Sequence, residues 1–191
     1  MRWIRLMSAI TLVSATMAVM APASADAFFR AGAELRWVPL SHGTMTESET
    51  DASFEPDRGL GSTGIGVRAL FAMGPIGLGA KFNLTRHVFD NDQLDYNQFD
   101  ANAQLRVGLP MTGFAGYVEL GPAVSLDLAG LGYNAGAGLE FELVDLPLLD
   151  THLGLGAQYV SLPIDVGPNT TYQHEDLRAI IFLGVDLALL N

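Results

Sequence analysis

Three sets of residues in this 191-residue chain have types and spacings that could do chemistry. Gly59, Gly61 and Gly64 meet the spacing of a dinucleotide-binding turn, which seats a pyrophosphate on the start of a helix that follows a strand. Here the glycines end a polar loop and run into a strand-like segment, so that chemistry has no helix to use. Asp90, Asp92 and Asp95 open like a calcium loop, but the required glycine and terminal glutamate are absent, which leaves loop solvation as their role. Ser41 and His42, with Glu47 and Glu49 nearby, and His174 beside Glu175 offer hydroxyl, imidazole and carboxylate groups. Acyl transfer would need the base within hydrogen-bond reach of the nucleophile, and nothing in the spacing ensures that. His152 stands alone on a polar face and reads as a hydrogen-bonded interior residue. The chain is therefore expected to be non-enzymatic, without a cofactor or a dedicated metal site.

Composition narrows the class further. Apolar residues make up 49% and charged residues only 16%, with 21 glycines and no cysteine, which excludes a disordered chain and a disulfide-stapled miniprotein. Ten basic residues face 21 acidic ones, so phosphate-rich nucleic acid would be repelled. Arg2 and Arg5 precede an uncharged run from Leu6 to Met20, and Ala23-Ser24-Ala25 offers small residues to a signal peptidase. Residues 1–25 read as an export signal, with one domain over 26–191. The mature part contains no uncharged run long enough for a spanning helix.

With a period of two, the mature chain falls into eight segments with one apolar face each. The first, Phe28 to Pro39, sets Phe29, Ala31, Ala33, Leu35 and Trp37 against Arg30, Gly32, Glu34 and Arg36. The second, Ser62 to Met73, opposes Ile65, Val67, Ala69 and Phe71 to Gly64, Gly66 and Arg68. The third, Ile76 to about Thr85, opposes Leu78, Ala80, Phe82 and Leu84 to Gly77, Gly79, Lys81 and Asn83. The fourth, Phe99 to Leu109, alternates without a slip, with Asp100, Asn102, Gln104 and Arg106 on its polar side. In the fifth, Phe114 to about Ser125, Val118 and Leu120 oppose Tyr117 and Glu119, and Pro122 is expected to mark a bulge or a strand end. The sixth, Tyr133 to Val144, has Gly136, Gly138, Glu140 and Glu142 opposite Leu139 and Phe141. The seventh opposes Leu153, Leu155 and Tyr159 to His152, Gly154 and Gln158. The eighth sets Leu177, Ile181, Leu183 and Val185 against Arg178, Gly184 and Asp186, with Ile180 and Phe182 also on that polar face.

Connections alternate between short, as at Gly74-Pro75, and longer, as from Ser41 to Gly61. Tight turns at one end and longer loops at the other describe an all-β, eight-stranded antiparallel up-and-down transmembrane barrel. Period two alone does not say which face looks outward. A soluble ligand-carrying barrel would turn the apolar face inward and carry a Lys/Glu-rich exterior. Here the second face is rich in glycine, which weakens an exposed strand but makes room inside a narrow barrel. The apolar face is thus expected to meet lipid. The polar strand faces carry Arg30, Arg36, Arg68, Lys81, Arg106 and Arg178 against Glu34, Asp100, Glu119, Glu140, Glu142 and Asp186, a balance suited to an enclosed ion network. Arg30 with Asp186 and Arg106 with Glu119 are the expected pairs. The remaining acids fall in the loops. Outward Trp37, Phe99, Tyr133 and Tyr159 sit towards the loop end, and Phe29, Phe71, Phe114 and Phe141 towards the turn end, as two aromatic girdles would.

In these residues and in length the mature chain resembles the small eight-stranded outer-membrane barrels of the OmpA/OmpX type from Gram-negative bacteria. One difference is the ending Leu189-Leu190-Asn191, where such barrels usually carry an aromatic residue. Neither a His-x-Ser pair like that of the lipid A deacylases nor an amphipathic helix like that of the palmitoyltransferases is present. The resemblance implies a place in the bacterial outer membrane, with contacts to membrane lipid and lipopolysaccharide. The side-chain-filled lumen and the acidic loops lead to a role in membrane integrity or surface interaction, with divalent cations as possible loop ligands. A narrow ion conduit, a lipid A-modifying enzyme and a soluble periplasmic carrier are the alternatives.

Overall fold

The computed structural model describes residues 27–55, 61–89, 94–146, 148–167 and 170–190. The expected export signal at 1–25, and Gly59, Asp90 and Asp92, lie outside them. Nine strands follow in order: β1 Ala27–Glu47, β2 Ser53–Phe54, β3 Ser62–Met73, β4 Ile76–His87, β5 Tyr96–Leu109, β6 Phe114–Ser125, β7 Gly130–Leu146, β8 Leu149–Gly167 and β9 Thr170–Leu190. Every strand from β3 onward pairs antiparallel with the next, and β1 pairs with both β3 and β9. Eight strands thereby close a barrel without a free edge, while β2 is a two-residue addition to the far end of β1.

Side chains divide by the pleat. Leu35, Ile65, Val67, Leu78, Phe82, Val118, Leu120, Leu139, Leu155 and Leu183 are all exposed. Glu34, Arg36, Arg68, Lys81, Asp100, Glu119, Glu140, Arg178 and Asp186, from the alternating positions, are buried. The apolar face therefore looks outward. So broad a belt of exposed aliphatic side chains is foreign to a monomer in water, where such patches stay within a few hundred Å².

Three expectations are corrected. The chain from Ser41 to Glu47 continues β1 rather than forming loop, and β8 and β9 extend to Gly167 and from Thr170. These extensions reverse the pattern: Met45, Val160, Leu162 and Ile164 are buried, and Asp165 and Glu175 are exposed. Along the far ends of β1 and β8 apolar side chains turn inward, so the two-residue rhythm of hydrophobicity changes face partway along those strands. Pro122 causes neither bulge nor strand end. Ladder pairs between β5 and β6 are missing beside it, yet the register from Asp100↔Ala123 to Ala103↔Leu120 is unchanged. The bulge falls at Pro39 instead, where β1 and β9 shift register between Trp37 and Leu40 because proline has no N–H to donate.

Candidate functional site

Ionisable side chains converge in the interior, in three tiers between the tight turns and the loop end. Nearest the turns, Arg68 on β3 donates from Nε to Asp186 at 2.9 Å and from Nη2 at 2.5 Å, and from Nη1 to Glu140. The other oxygen of Glu140 accepts from Arg106 Nε at 2.7 Å. Arg30 pairs with Asp150 at the rim. Two carboxylates facing one guanidinium fork give the planar, charge-assisted geometry that arginine favours.

In the middle tier Lys81 is fully buried, with Nζ 2.8 Å from Glu34 and 3.5 Å from Glu119. Arg36 Nε lies 3.5 Å from the same Glu34 oxygen. The ammonium also stands 4.6 Å above the ring centroid of Phe182 and 5.5 Å from that of Tyr117, within the range of cation–π attraction. Tyr117, Phe182, Val38 and Ile180 form the apolar wall of this tier. Glycine makes room for the rings: a Cβ at Gly156 would lie 2.2 Å from the Tyr117 hydroxyl. On the other side Asn83, Asn102 and Gln104 are buried with amides that find no hydrogen-bond partner among the described residues, the condition under which interior polar groups recruit water.

Arg178 governs the third tier. Its Nε donates to Asp176 at 2.5 Å, Nη1 to Gln98 at 2.9 Å and Nη2 to the Tyr96 hydroxyl at 3.3 Å. Nη1 is also 3.1 Å from His87 Nε2. Tyr96 in turn meets His174 Nδ1 at 2.9 Å, Gln98 donates to Asp100 at 2.6 Å, and Ser41 donates to Asp176. Above this tier Met45, Phe89, Leu94, Tyr96, Ala123, Val160, Leu162 and Ile164 close on one another as an apolar cap, with Leu128 and Tyr172 packed against it.

Of the twelve charged residues assigned to the interior from the sequence, nine are buried, while Arg30, Arg106 and Glu142 are half-buried at the turn end. Other partners come forward for these residues. Asp186 is taken by Arg68 and Arg30 by Asp150; Arg106 reaches Glu140, and Glu119 lies near Lys81. In so narrow a lumen a long side chain passes over its neighbouring strand to the next one. Asp150 and Asp176 belong to the interior rather than to loops, so the one-to-one charge balance does not hold and the excess acid is not confined to the loops. His87, His174, Tyr96 and Gln98 were missed as interior groups. A signal existed for His87: it continues the rhythm of Lys81, Asn83 and Thr85 by one step.

The aromatic residues expected as girdles all project outward. Trp37, Phe71, Phe114, Tyr133 and Phe141 are exposed, and Phe29, Phe99 and Tyr159 are half-exposed. Several meet across strands, as Phe114 and Phe141 with ring centroids 4.8 Å apart and Tyr133 and Tyr159 at 6.2 Å.

The sets considered for catalysis are separated. Ser41 turns to Asp176 while His42 is exposed on the other face of β1, and His174 is buried against Tyr96. Among the described residues Ser62 Oγ and His87 Nδ1 meet at 2.8 Å. Because guanidinium only donates, His87 Nε2 must accept from Arg178, which leaves the proton on Nδ1 and directs it towards Ser62. That is the wrong tautomer for a base acting on the serine. Carboxylate oxygens of Glu142, Asp145 and Asp150 lie within 4.8 Å of one another at the turn end, where Asp150 is already paired with Arg30.

No family model matches the chain, and no curated protein does. Among solved structures it is similar to Neisserial surface protein A, at 13% identity over 86% of this chain and 99% of that one, with a TM-score of 0.50. It is also similar to the outer membrane protein AlkL in lipid bilayers, at 11% identity over 90% of this chain and 94% of that one, with a TM-score of 0.52. The chain thus has the fold of the small eight-stranded outer-membrane β-barrels.

Proposed function

We propose that this protein is a non-enzymatic barrel of the bacterial outer membrane, sealed along its axis, that supports membrane integrity or surface contact through its acidic loop end. The observation that carries the reading is the opposition of two linings on one wall: an exposed aliphatic exterior and an interior cross-linked by Arg68, Lys81 and Arg178. Acyl chains solvate the first, and the second is stable only where it is enclosed and paired. The two outward aromatic groups suit headgroup levels on either side of that band. At the loop end Glu49, Asp51, Glu55 and Asp127 are exposed. They would draw divalent cations that bridge lipopolysaccharide phosphates, or basic surfaces of a partner.

Side chains of an eight-stranded barrel fill its interior, and the apolar cap adds a second barrier above the ion pairs. Planar-bilayer recording of the refolded protein tests the seal. A baseline indistinguishable from protein-free bilayers is expected, and stepwise openings that scale with salt would replace this reading with that of a narrow conduit. Lipid A mass spectra with and without the protein should be the same.

A further inference from the structure

We propose that the outer wall of β8, β9 and β1 carries a site for one glycerophospholipid whose headgroup ends in a primary ammonium. The inference rests on the reading that the apolar wall faces lipid, and deepens it. Ala157 and Ala179 lie opposite each other in register, and Ala179 lies opposite Leu40 just past the shift at Pro39. One step towards the turns, Leu155, Ile181 and Trp37 form a row of larger side chains, and one step towards the loops, Tyr159, Leu177 and His42 form another. The two alanines are the floor of an open groove of about 440 Å³ between these rows, bordered by Leu40, Leu177 and His42, a volume in the range of small-molecule sites.

The loop-side rim sets this groove apart. A second groove on β4, β5 and β6 has outward side chains that are all aliphatic, Leu78, Ala103, Leu105, Val118 and Leu120. At the first, His42 is exposed, and Glu175, exposed on β9, is its diagonal neighbour on the same face, since His42 lies opposite Leu177 and Glu175 opposite Thr44. Diagonal neighbours of an antiparallel pair stand roughly 7–8 Å apart. Tyr159 meets both Tyr133 and Glu175 through its hydroxyl, which holds the carboxylate at the level of the loop-end girdle. A carboxylate and an imidazole so placed match the two charges of a phosphoethanolamine headgroup: the ammonium donates to Glu175, and the phosphate accepts from His42. A headgroup of phosphates alone would need cations here. Among the described residues no lysine or arginine lies on this outer face, because Arg36 and Arg178 are buried in the lumen and Arg30 turns to Asp150.

The test is native mass spectrometry of the refolded protein, released from detergent micelles after incubation with dimyristoyl phosphatidylethanolamine, phosphatidylglycerol or phosphatidylcholine. Wild type should retain one phosphatidylethanolamine roughly tenfold more than either other lipid, the yield of one charge-assisted hydrogen bond. Glu175→Gln should still carry lipid but without that preference. Ala157→Phe, which fills the groove, should lose the selective adduct, whereas Ala103→Phe, which fills the second groove, should keep it. Should Ala157→Phe fail to fold, Ala179→Leu fills the same floor. Equal retention of the three lipids by wild type, a preference that survives Glu175→Gln, or a selective adduct that survives filling of the groove would overturn the site while leaving the lipid-facing wall intact. A protein that stays soluble without detergent and retains no lipid would overturn both.

Discussion

The ring of Phe182 on β9 lies directly over the α-carbon of Gly154 on β8, its cross-strand partner, so that a Cβ added there would sit 2.0 Å from Cζ. This contact shows how the lumen is built. The bulky inward ring is admitted here because the next strand offers glycine, and Phe182 in turn supplies the face on which Lys81 rests. His152 over Gly184 and Asp186 over Gly32 repeat the arrangement.

Gly154→Val should therefore lower stability by about 1–3 kcal/mol, the cost of overpacking a filled interior. Phe182→Leu alone should cost less, and the double variant should recover part of the loss. Urea unfolding in detergent micelles, followed by tryptophan fluorescence, reads the midpoints. Independent, additive effects would mean that the two residues do not meet.

Removal of Arg68 should be more severe. Arg68→Met leaves Asp186 without its guanidinium and Glu140 with Arg106 alone, and breaking such a buried pair costs about 3–5 kcal/mol. Replacing all three at once, as Arg68→Met with Glu140→Gln and Asp186→Asn, should be milder than the single change. The same unfolding assay compares them; a single variant as stable as wild type would show that the turn-end tier carries no weight.

Depth along the outer wall gives a graded prediction. Val118 is 51% exposed within the aliphatic band, whereas Glu175 and Arg86 mark the polar extension. Val118→Arg should destabilise by about 2–4 kcal/mol in lipid, and Glu175→Arg by about 1 kcal/mol at most. Reversible unfolding in phospholipid vesicles measures both, and equal costs would remove the distinction between band and extension.

How much of this was legible beforehand follows from the residues themselves. Alternation through Leu35, Phe82, Val107 and Ile181 was enough to read strands, and the glycine-rich opposite face was enough to orient them. Above Tyr159 the same rule misleads, because Val160, Leu162 and Ile164 point inward against the cap while Asp165 faces out. The environment outside the barrel changes there from apolar to polar contact, and a period of two carries no record of that change. Pairings were illegible for another reason. Arg106 lies opposite Tyr117 in register, yet its guanidinium meets Glu140 of β7 beyond it. Side-chain reach across a lumen depends on strand tilt, which no single strand encodes.

The outward direction of the apolar face is the claim on which the rest stands. The chain has no cysteine, so single cysteines can be placed at 78 to 84 along β4, spin-labelled and examined in phospholipid vesicles by power saturation with oxygen and with a water-soluble nickel chelate. Labels at Leu78, Ala80, Phe82 and Leu84 should show high oxygen and low nickel accessibility, and those at Gly79, Lys81 and Asn83 should be shielded from oxygen, giving a period of two. Oxygen maxima at Lys81 and Asn83, or nickel accessibility at Phe82, would contradict it.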